Sequence, residues 1–159
     1  MADTNGKCKD LVSIIIPKRK EENISELIFY LMLQTYQNTE IIVVDEGHER
    51  SKQRNIGIKK AQGKYLLILD SDQFPNPFLI EECVKNKISA YIPEDITTPG
   101  WFGVLRNWER QFYNGTPIDC VRFVKAKGCP LFDEEQSGPE DCDWDRRVNG
   151  VRRISEHTI

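Results

Sequence analysis

Three aliphatic runs, spaced so that one helix fits between each pair, constrain this chain more than any other feature. Val12-Ser13-Ile14-Ile15-Ile16 is stopped by Pro17, Glu40-Ile41-Ile42-Val43-Val44 ends at Asp45, and Tyr65-Leu66-Leu67-Ile68-Leu69 ends at Asp70. Short apolar runs of this kind read as buried strands of a parallel sheet. Parallel neighbours need right-handed crossovers, so the intervening stretches are expected to be helical. The first shows Leu27, Tyr30, Leu31 and Gln34 at helical spacing, behind Asn23 as N-cap and Glu26 as its reciprocal partner. The second, over 51–61, places Ile56 and Ala61 inward and ends at Gly63 as a left-handed terminator.

In open α/β sheets, ligands sit outside the carboxyl ends of the strands. Asp45, Asp70 and Asp72 are therefore expected in one crevice although they are far apart in sequence. Beyond Pro75 and Pro77 the pattern loosens. A helix is expected over 78–87, strands over 90–92 and 120–124, a short helix over 141–148 and an extended piece over 151–154. Over 100–113, Trp101, Leu105, Trp108 and Phe112 recur at helical spacing, which predicts an amphipathic helix packing its tryptophans on the sheet.

A chain of 159 residues is read as one domain, with a loose tail over 1–10 and the folded unit over 11–159. Apolar residues make up 39% and charged residues 30%, which excludes a disordered or collagen-like chain. The net charge of −3 excludes a broad basic footprint for duplex nucleic acid, so no nucleic-acid partner is expected. No apolar run is long enough for a membrane span and no signal-type segment opens the chain, so a cytoplasmic protein is expected. The five cysteines show no Cys-x-x-Cys spacing and read as buried free thiols.

Asp70-Ser71-Asp72 follows a buried strand directly. Two carboxylates two apart can aim at one hard cation, Mg²⁺ or Mn²⁺, which keeps positions open for phosphate oxygens. Taken alone, such a tripeptide can equally cap a turn. Its setting is more specific. The first strand through Pro17, then Gln34-Thr35-Tyr36, the second strand through Asp45, Arg54-Asn55-Ile56-Gly57, Ala61-Gln62-Gly63-Lys64-Tyr65 and Leu69-Asp70-Ser71-Asp72 stand in an order that resembles the family 2 glycosyltransferases. Gly128 with Phe132-Asp133-Glu134, and Glu140-Asp141-Cys142-Asp143-Trp144, resemble the acceptor half of that family.

The resemblance implies a GT-A fold: a Rossmann-like, mostly parallel sheet flanked by helices, with a nucleotide-sugar-binding half over 11–89 and a small acceptor-binding half over 90–159. It implies a metal-dependent, inverting transfer of a sugar from a UDP- or GDP-sugar to the hydroxyl of a glycan, lipid-linked or protein acceptor, with a homodimer as a further possibility. Donor contacts fall on Pro17, Lys18, Glu21, Asp45, Arg54, Asp70 and Ser71. Asp45 suits base or ribose donors and can also cap a helix; Arg54 can neutralise diphosphate, fix Asp45 or form a structural ion pair. Asp72 and His157 match the metal ligands. Asp141 matches the catalytic base, and the alternative for Glu140-Asp141 is a simple acidic helix start. Glu140 and Trp101 are the acceptor-binding candidates.

Two loops depart from the family pattern. Pro17-Lys18-Arg19-Lys20 replaces Pro-x-Tyr-Asn, and Asp45-Glu46-Gly47-His48 replaces Asp-Asp-Gly-Ser. Both leave the donor open. Two other readings stand beside the transferase: a degenerate fold-mate that binds a nucleotide-sugar without turnover, and a sugar-nucleotide pyrophosphorylase. The latter wants a glycine-rich loop after the first strand, and the segment after Pro17 has no glycine. A dehydrogenase is disfavoured because no Gly-x-Gly-x-x-Gly follows any strand.

Overall fold

The computed structural model describes residues 10–136 and 138–159. Cys8 and all but the last residue of the expected tail lie outside them. In chain order the elements are β1 (Val12–Pro17), α1 (Ser25–Met32), β2 (Thr39–Val44), α2 (Arg50–Lys60), β3 (Tyr65–Ile68), α3 (Leu79–Asn86), β4 (Ser89–Tyr91), α4 (Trp101–Arg110), β5 (Val121–Lys125), α5 (Glu140–Arg147) and β6 (Arg152–Ile154). Every element expected from the sequence is present within a few residues.

The strands form one sheet in the order β2-β1-β3-β5-β4-β6. β1 pairs parallel with β2 and β3, and β4 with β6, whereas β5 runs antiparallel to both β3 and β4. The mostly parallel α/β sheet expected from the sequence is thus the observed one. Its two faces carry separate cores. Ile14, Ile16, Leu67, Leu69 and Phe123 pack with Leu27, Leu31, Leu79 and Ile80 on one side, and Ile15, Leu66, Ile68 and Val124 pack with Phe132 and Trp144 on the other. That alternation is the period-2 side-chain rule acting on runs that read as uniformly apolar. Among the described residues no helix is long and apolar enough to cross a membrane.

Several local expectations are corrected. β2 is the sheet's edge, so its aliphatic run is not buried on both faces: Ile41 and Val43 are exposed. Asn23 does not cap α1. Its Oδ1 accepts instead from the Ser25 N–H and hydroxyl, a local turn one residue before the helix. Gly63 does not adopt a left-handed conformation; α2 ends in extended backbone at Ala61. A Cβ at Gly63 would lie 2.7 Å from the Ser13 nitrogen and 2.9 Å from the Leu11 carbonyl oxygen, so close approach to β1 explains the glycine. Ala61 packs inward against the second core as expected, but the buried residues of α2 are Ser51, Gln53, Arg54, Asn55 and Gly57, and Ile56 is not among them.

The largest correction concerns α4. Trp101, Leu105, Trp108 and Phe112 do not pack on the sheet; Trp101 is 77% and Trp108 58% exposed. The side that turns inward carries Gly103, Asn107 and Arg110. A Cβ at Gly103 would collide with the Thr98 carbonyl, Asn107 exchanges two hydrogen bonds with the Ile96 backbone, and Arg110 reaches Glu94 and Asp119.

Candidate active site

A cleft of about 970 Å³ opens at the carboxyl ends of β1, β2 and β3. The loops after these strands and the segment leading into α5 line it, and they bring Pro17, Lys18, Asp45, Ser71 and Glu140 together. The two strand-end loops are tied by one buried side chain. Gln53 Nε2 donates to the Lys18 carbonyl (2.9 Å) and the Gly47 carbonyl (3.2 Å). Lys18 Nζ caps the Arg19 and Lys20 carbonyls of its own loop, while Arg19 and Lys20 also line the cleft. Asp45 is exposed to the cleft and takes no hydrogen bond or ion pair among the described residues.

Beside this cleft lies a buried ion cluster centred on Arg54, which is 1% exposed. Arg54 Nη2 donates to Asp70 Oδ1 (3.0 Å) and Nη1 to Asp141 Oδ1, with Glu140 Oε1 at 3.7 Å. Its guanidinium lies over the Phe132 ring at 5.1 Å, and that ring stacks on Trp144 at 4.5 Å. Burying a charge is tolerable only where it is paired, and here one cation meets three carboxylates. The next residue serves the same end. Asn55 Nδ2 donates to the Phe132 carbonyl (2.9 Å) and Glu134 Oε1 (2.8 Å), while its Oδ1 accepts the Phe132 N–H (2.7 Å). Gly57 then lets α2 lie against β1, since a Cβ there would meet Ile15 Cγ2 at 2.3 Å. The Arg-Asn-x-Gly segment thus does three separate physical jobs.

The carboxylates of the cluster are driven apart. Burial pushes Asp70 up, but the guanidinia of Arg54, Arg122 and Arg50 outweigh it and hold Asp70 below its ordinary range. Burial also pushes Asp141 up, and there the neighbouring Glu140 and Asp70 charges help it prevail over Arg54 and Arg122, so Asp141 stands above its ordinary range. A carboxyl raised in this way beside a cleft is suited to accept a proton.

The metal expectation can be tested on donor chemistry. Asp70 has its oxygens committed: Oδ1 to Arg54, and Oδ2 to Arg50 and Arg122, each at 3.7 Å. Asp72 is exposed and free of hydrogen bonds and ion pairs among the described residues. The carboxyl-terminal segment runs beside this loop, since the Asn76 N–H donates to the Thr158 carbonyl (3.1 Å). His157 on that segment is held through its backbone N–H by Glu82 (3.2 Å) and stands 5.8 Å from the Phe78 ring. No group of three or more His, Cys, Asp or Glu poised for a metal occurs among the described residues. A Mg²⁺-type ion bridging a diphosphate takes only one or two protein carboxylates, and the exposed Asp72 is a donor of that kind.

Several predicted residues do not line the cleft: of the three aspartates expected in one crevice only Asp45 does so, and Arg54, Asp70, Asp72, Asp141 and His157 stand outside its lining. Glu21 is exposed outside it, and its neighbour Glu22 lines it instead, accepting from Ser71 Oγ (2.6 Å) and the Arg19 N–H (2.9 Å). Trp101 stands in solvent on α4. The sequence reading also missed Arg122, Glu94 and Gln73, which surround Asp70 and its turn. A signal was available for Arg122: it is a lone charge inside the apolar run Val121-Arg122-Phe123-Val124, and a buried charge demands a buried partner. Of the cysteines expected as buried free thiols, Cys83 and Cys120 are buried, whereas Cys129 and Cys142 are free but only half-buried. Burial pushes Cys83 up to about 12 and Cys129 to about 11, and it raises Cys120 as well.

Comparison with known proteins bears on the fold and on the sequence likeness. Residues 46–90 match the model of the family described as Glycosyl transferase family 2. Glycosyltransferase GlyG of Streptococcus pneumoniae is 29% identical over a match covering 45% of this chain and 33% of that protein. A glycosyltransferase of Haemophilus influenzae is 33% identical over 40% of this chain and 37% of its own length. The match thus spans about a third of the length of these relatives. Among solved structures, residues 1–349 of TarS from S. aureus in complex with UDP-GlcNAc align with a TM-score of 0.67 at 17% identity, over 93% of this chain and 58% of that one. The fold is GT-A, as the resemblance implied. Over the matched segment this chain is thus similar to glycosyl transferase family 2, and over nearly its whole length it shares the fold of TarS.

Proposed function

We propose that the chain transfers a sugar from a nucleoside diphosphate sugar to an acceptor hydroxyl with inversion. The observation that carries this reading is the juxtaposition, at one set of strand ends, of an open polar cleft and the raised Asp141 carboxyl paired to Arg54. Pro17, Lys18, Asp45 and Ser71 shape the donor side. Asp45 offers a free carboxylate to base or ribose hydrogen-bond donors, and Arg19 and Lys20 supply positive charge for phosphate oxygens. Asp72 and His157 would hold a divalent cation, Mg²⁺ or Mn²⁺. When bound, it stabilises the charge of the departing diphosphate as a Lewis acid.

Asp141 takes the proton of the attacking hydroxyl. Its Oδ1 is anchored on Arg54, which leaves Oδ2 for the acceptor and fixes the carboxylate's direction. Arg54 limits how far burial raises Asp141, which favours the ionised form that a base needs. Glu140, at the cleft wall, orients the acceptor through a second hydroxyl.

UDP-GlcNAc, the ligand in the TarS complex, is the first donor to try. Thermal shift and donor hydrolysis should be measured with UDP- and GDP-sugars, with Mn²⁺ and with chelator. The reading predicts cation-dependent stabilisation by at least one donor and slow cation-dependent release of nucleoside diphosphate. Stabilisation without any turnover on any acceptor panel would support the binding-only alternative.

A further inference from the structure

We propose that Gln73, Glu94 and Arg122 are positioning residues that clamp the turn Asp70-Ser71-Asp72-Gln73 so that Asp72 alone is presented to the cation; this rests on the reading of Asp72 as its ligand. The four residues form a closed ring. The Asp70 N–H donates to Gln73 Oε1 (2.9 Å), and Gln73 Nε2 donates to Glu94 Oε1 (2.7 Å). The same oxygen accepts from Arg122 Nη2 (2.7 Å), and Arg122 Nη1 closes the ring on Asp70 Oδ2 at 3.7 Å. Inside the ring the turn has its own bond, Gln73 N–H to the Asp70 carbonyl (3.1 Å).

Of the four turn side chains, three are spoken for. Asp70 is held by arginines, Ser71 Oγ donates to Glu22, and Gln73 bridges to Glu94. Asp72 is the one side chain of the turn with no partner among the described residues. A carboxylate on an unsupported loop would sample many directions, and the entropy of fixing it would be charged to binding. The ring removes that freedom before the ligand arrives. Its geometry follows from the fold: β5 pairs with β3 in the register Leu67↔Phe123, which carries Arg122 alongside the strand end that leads into Asp70. Glu94 in turn receives Arg110 of α4 through its other oxygen, so the later half of the chain braces the acidic turn of the first.

Gln73→Met breaks both of its ring bonds without stranding a buried charge. Arg122→Lys keeps the charge but loses the fork that spans Asp70 and Glu94. Each variant is compared with the parent by calorimetry of UDP with Mn²⁺ and of UDP with EDTA, and by hydrogen exchange at the Asp70 amide. Both variants are expected to weaken the Mn²⁺-dependent binding by roughly 10–100-fold, with the EDTA arm unchanged. In Gln73→Met the Asp70 amide should exchange about tenfold faster. A parent that binds UDP more tightly with Mn²⁺, together with variants that do the same to within a factor of two, would overturn this proposal alone. A parent whose UDP binding ignores Mn²⁺, or that binds no UDP, would overturn the cation assignment of Asp72 and the clamp's purpose with it.

Discussion

Helix α2 is built mostly of Arg, Ser, Lys, Gln and Asn, yet it turns Ser51, Gln53, Arg54 and Asn55 into the protein. Helix α4 carries Trp101, Phe102, Val104, Leu105 and Trp108, yet leaves them all exposed, and Phe112 just beyond it is exposed as well. Periodicity identifies which stripe of a helix is apolar, but the partners waiting for it decide which stripe faces inward. For α2 the partners are three carboxylates, the Lys18 and Gly47 carbonyls and the Phe132 backbone. For α4 they are the Ile96 backbone, Glu94 and Asp119, which suit Asn107 and Arg110 and nothing apolar. Both helices therefore turn a polar face to the protein, α2 beside the candidate site and α4 on the residues that brace it.

The comparison is broken most forcefully at Arg54. Arg54→Met would strand Asp70, Asp141 and Glu140 without their common cation, and the expected loss is about 3–5 kcal/mol of unfolding free energy in urea titration. A loss below about 1 kcal/mol would show that the polar face of α2 is buried without being needed. Next comes Gly57→Ala. Its Cβ would press on Ile15 at 2.3 Å, and overpacking of that kind costs about 1–3 kcal/mol. An unchanged urea midpoint would mean that α2 can retreat from β1, and the site's spacing would not depend on that glycine.

Asp119 sharpens the α4 side. Burial raises its carboxyl to about 6, with Arg110 pulling the other way, against an ordinary value of 3.8. A carboxyl raised on folding contributes stability that is full below the unfolded value and lost as pH climbs through the folded one. Asp119→Asn should therefore gain on the parent between pH 4 and 7, by on the order of 1 kcal/mol. A constant difference across that window would remove the burial effect from the account. The smallest expected effect belongs to the apolar face: Trp101→Ser and Trp108→Ser should each move stability by no more than about 0.5 kcal/mol. A loss of several kcal/mol in either variant would show that this face is covered in the folded protein.

Much of this was legible in the chain itself. The aliphatic runs gave the strands and their breaks, because strand length and β-branching are local properties. The cleft at the strand ends followed from the α/β architecture, and Asp45, Ser71 and Glu140 fell on it. Pairing was not legible. β5 runs antiparallel between β3 and β4, a long-range choice that no local pattern encodes, and it is this choice that delivers Arg122 to Asp70. The shift from Glu21 to Glu22 has a similar origin, since only the folded loop shows which carboxylate meets Ser71. The tryptophans of α4 misled because spacing reports amphipathicity and is silent about the direction it faces.

The central claim is that Asp141 acts as the base of a sugar transfer, and Asp141→Asn tests it most directly. The amide keeps an oxygen for Arg54 but has no basicity. Donor and Mn²⁺ affinities should stay within about twofold of the parent, while kcat falls by at least about 10²–10⁴-fold. Glu140→Gln serves as the control and should mainly raise the acceptor KM. Undiminished turnover in Asp141→Asn would contradict the account, and a collapse of donor binding in its place would move Asp141 from the reacting hydroxyl to the nucleotide.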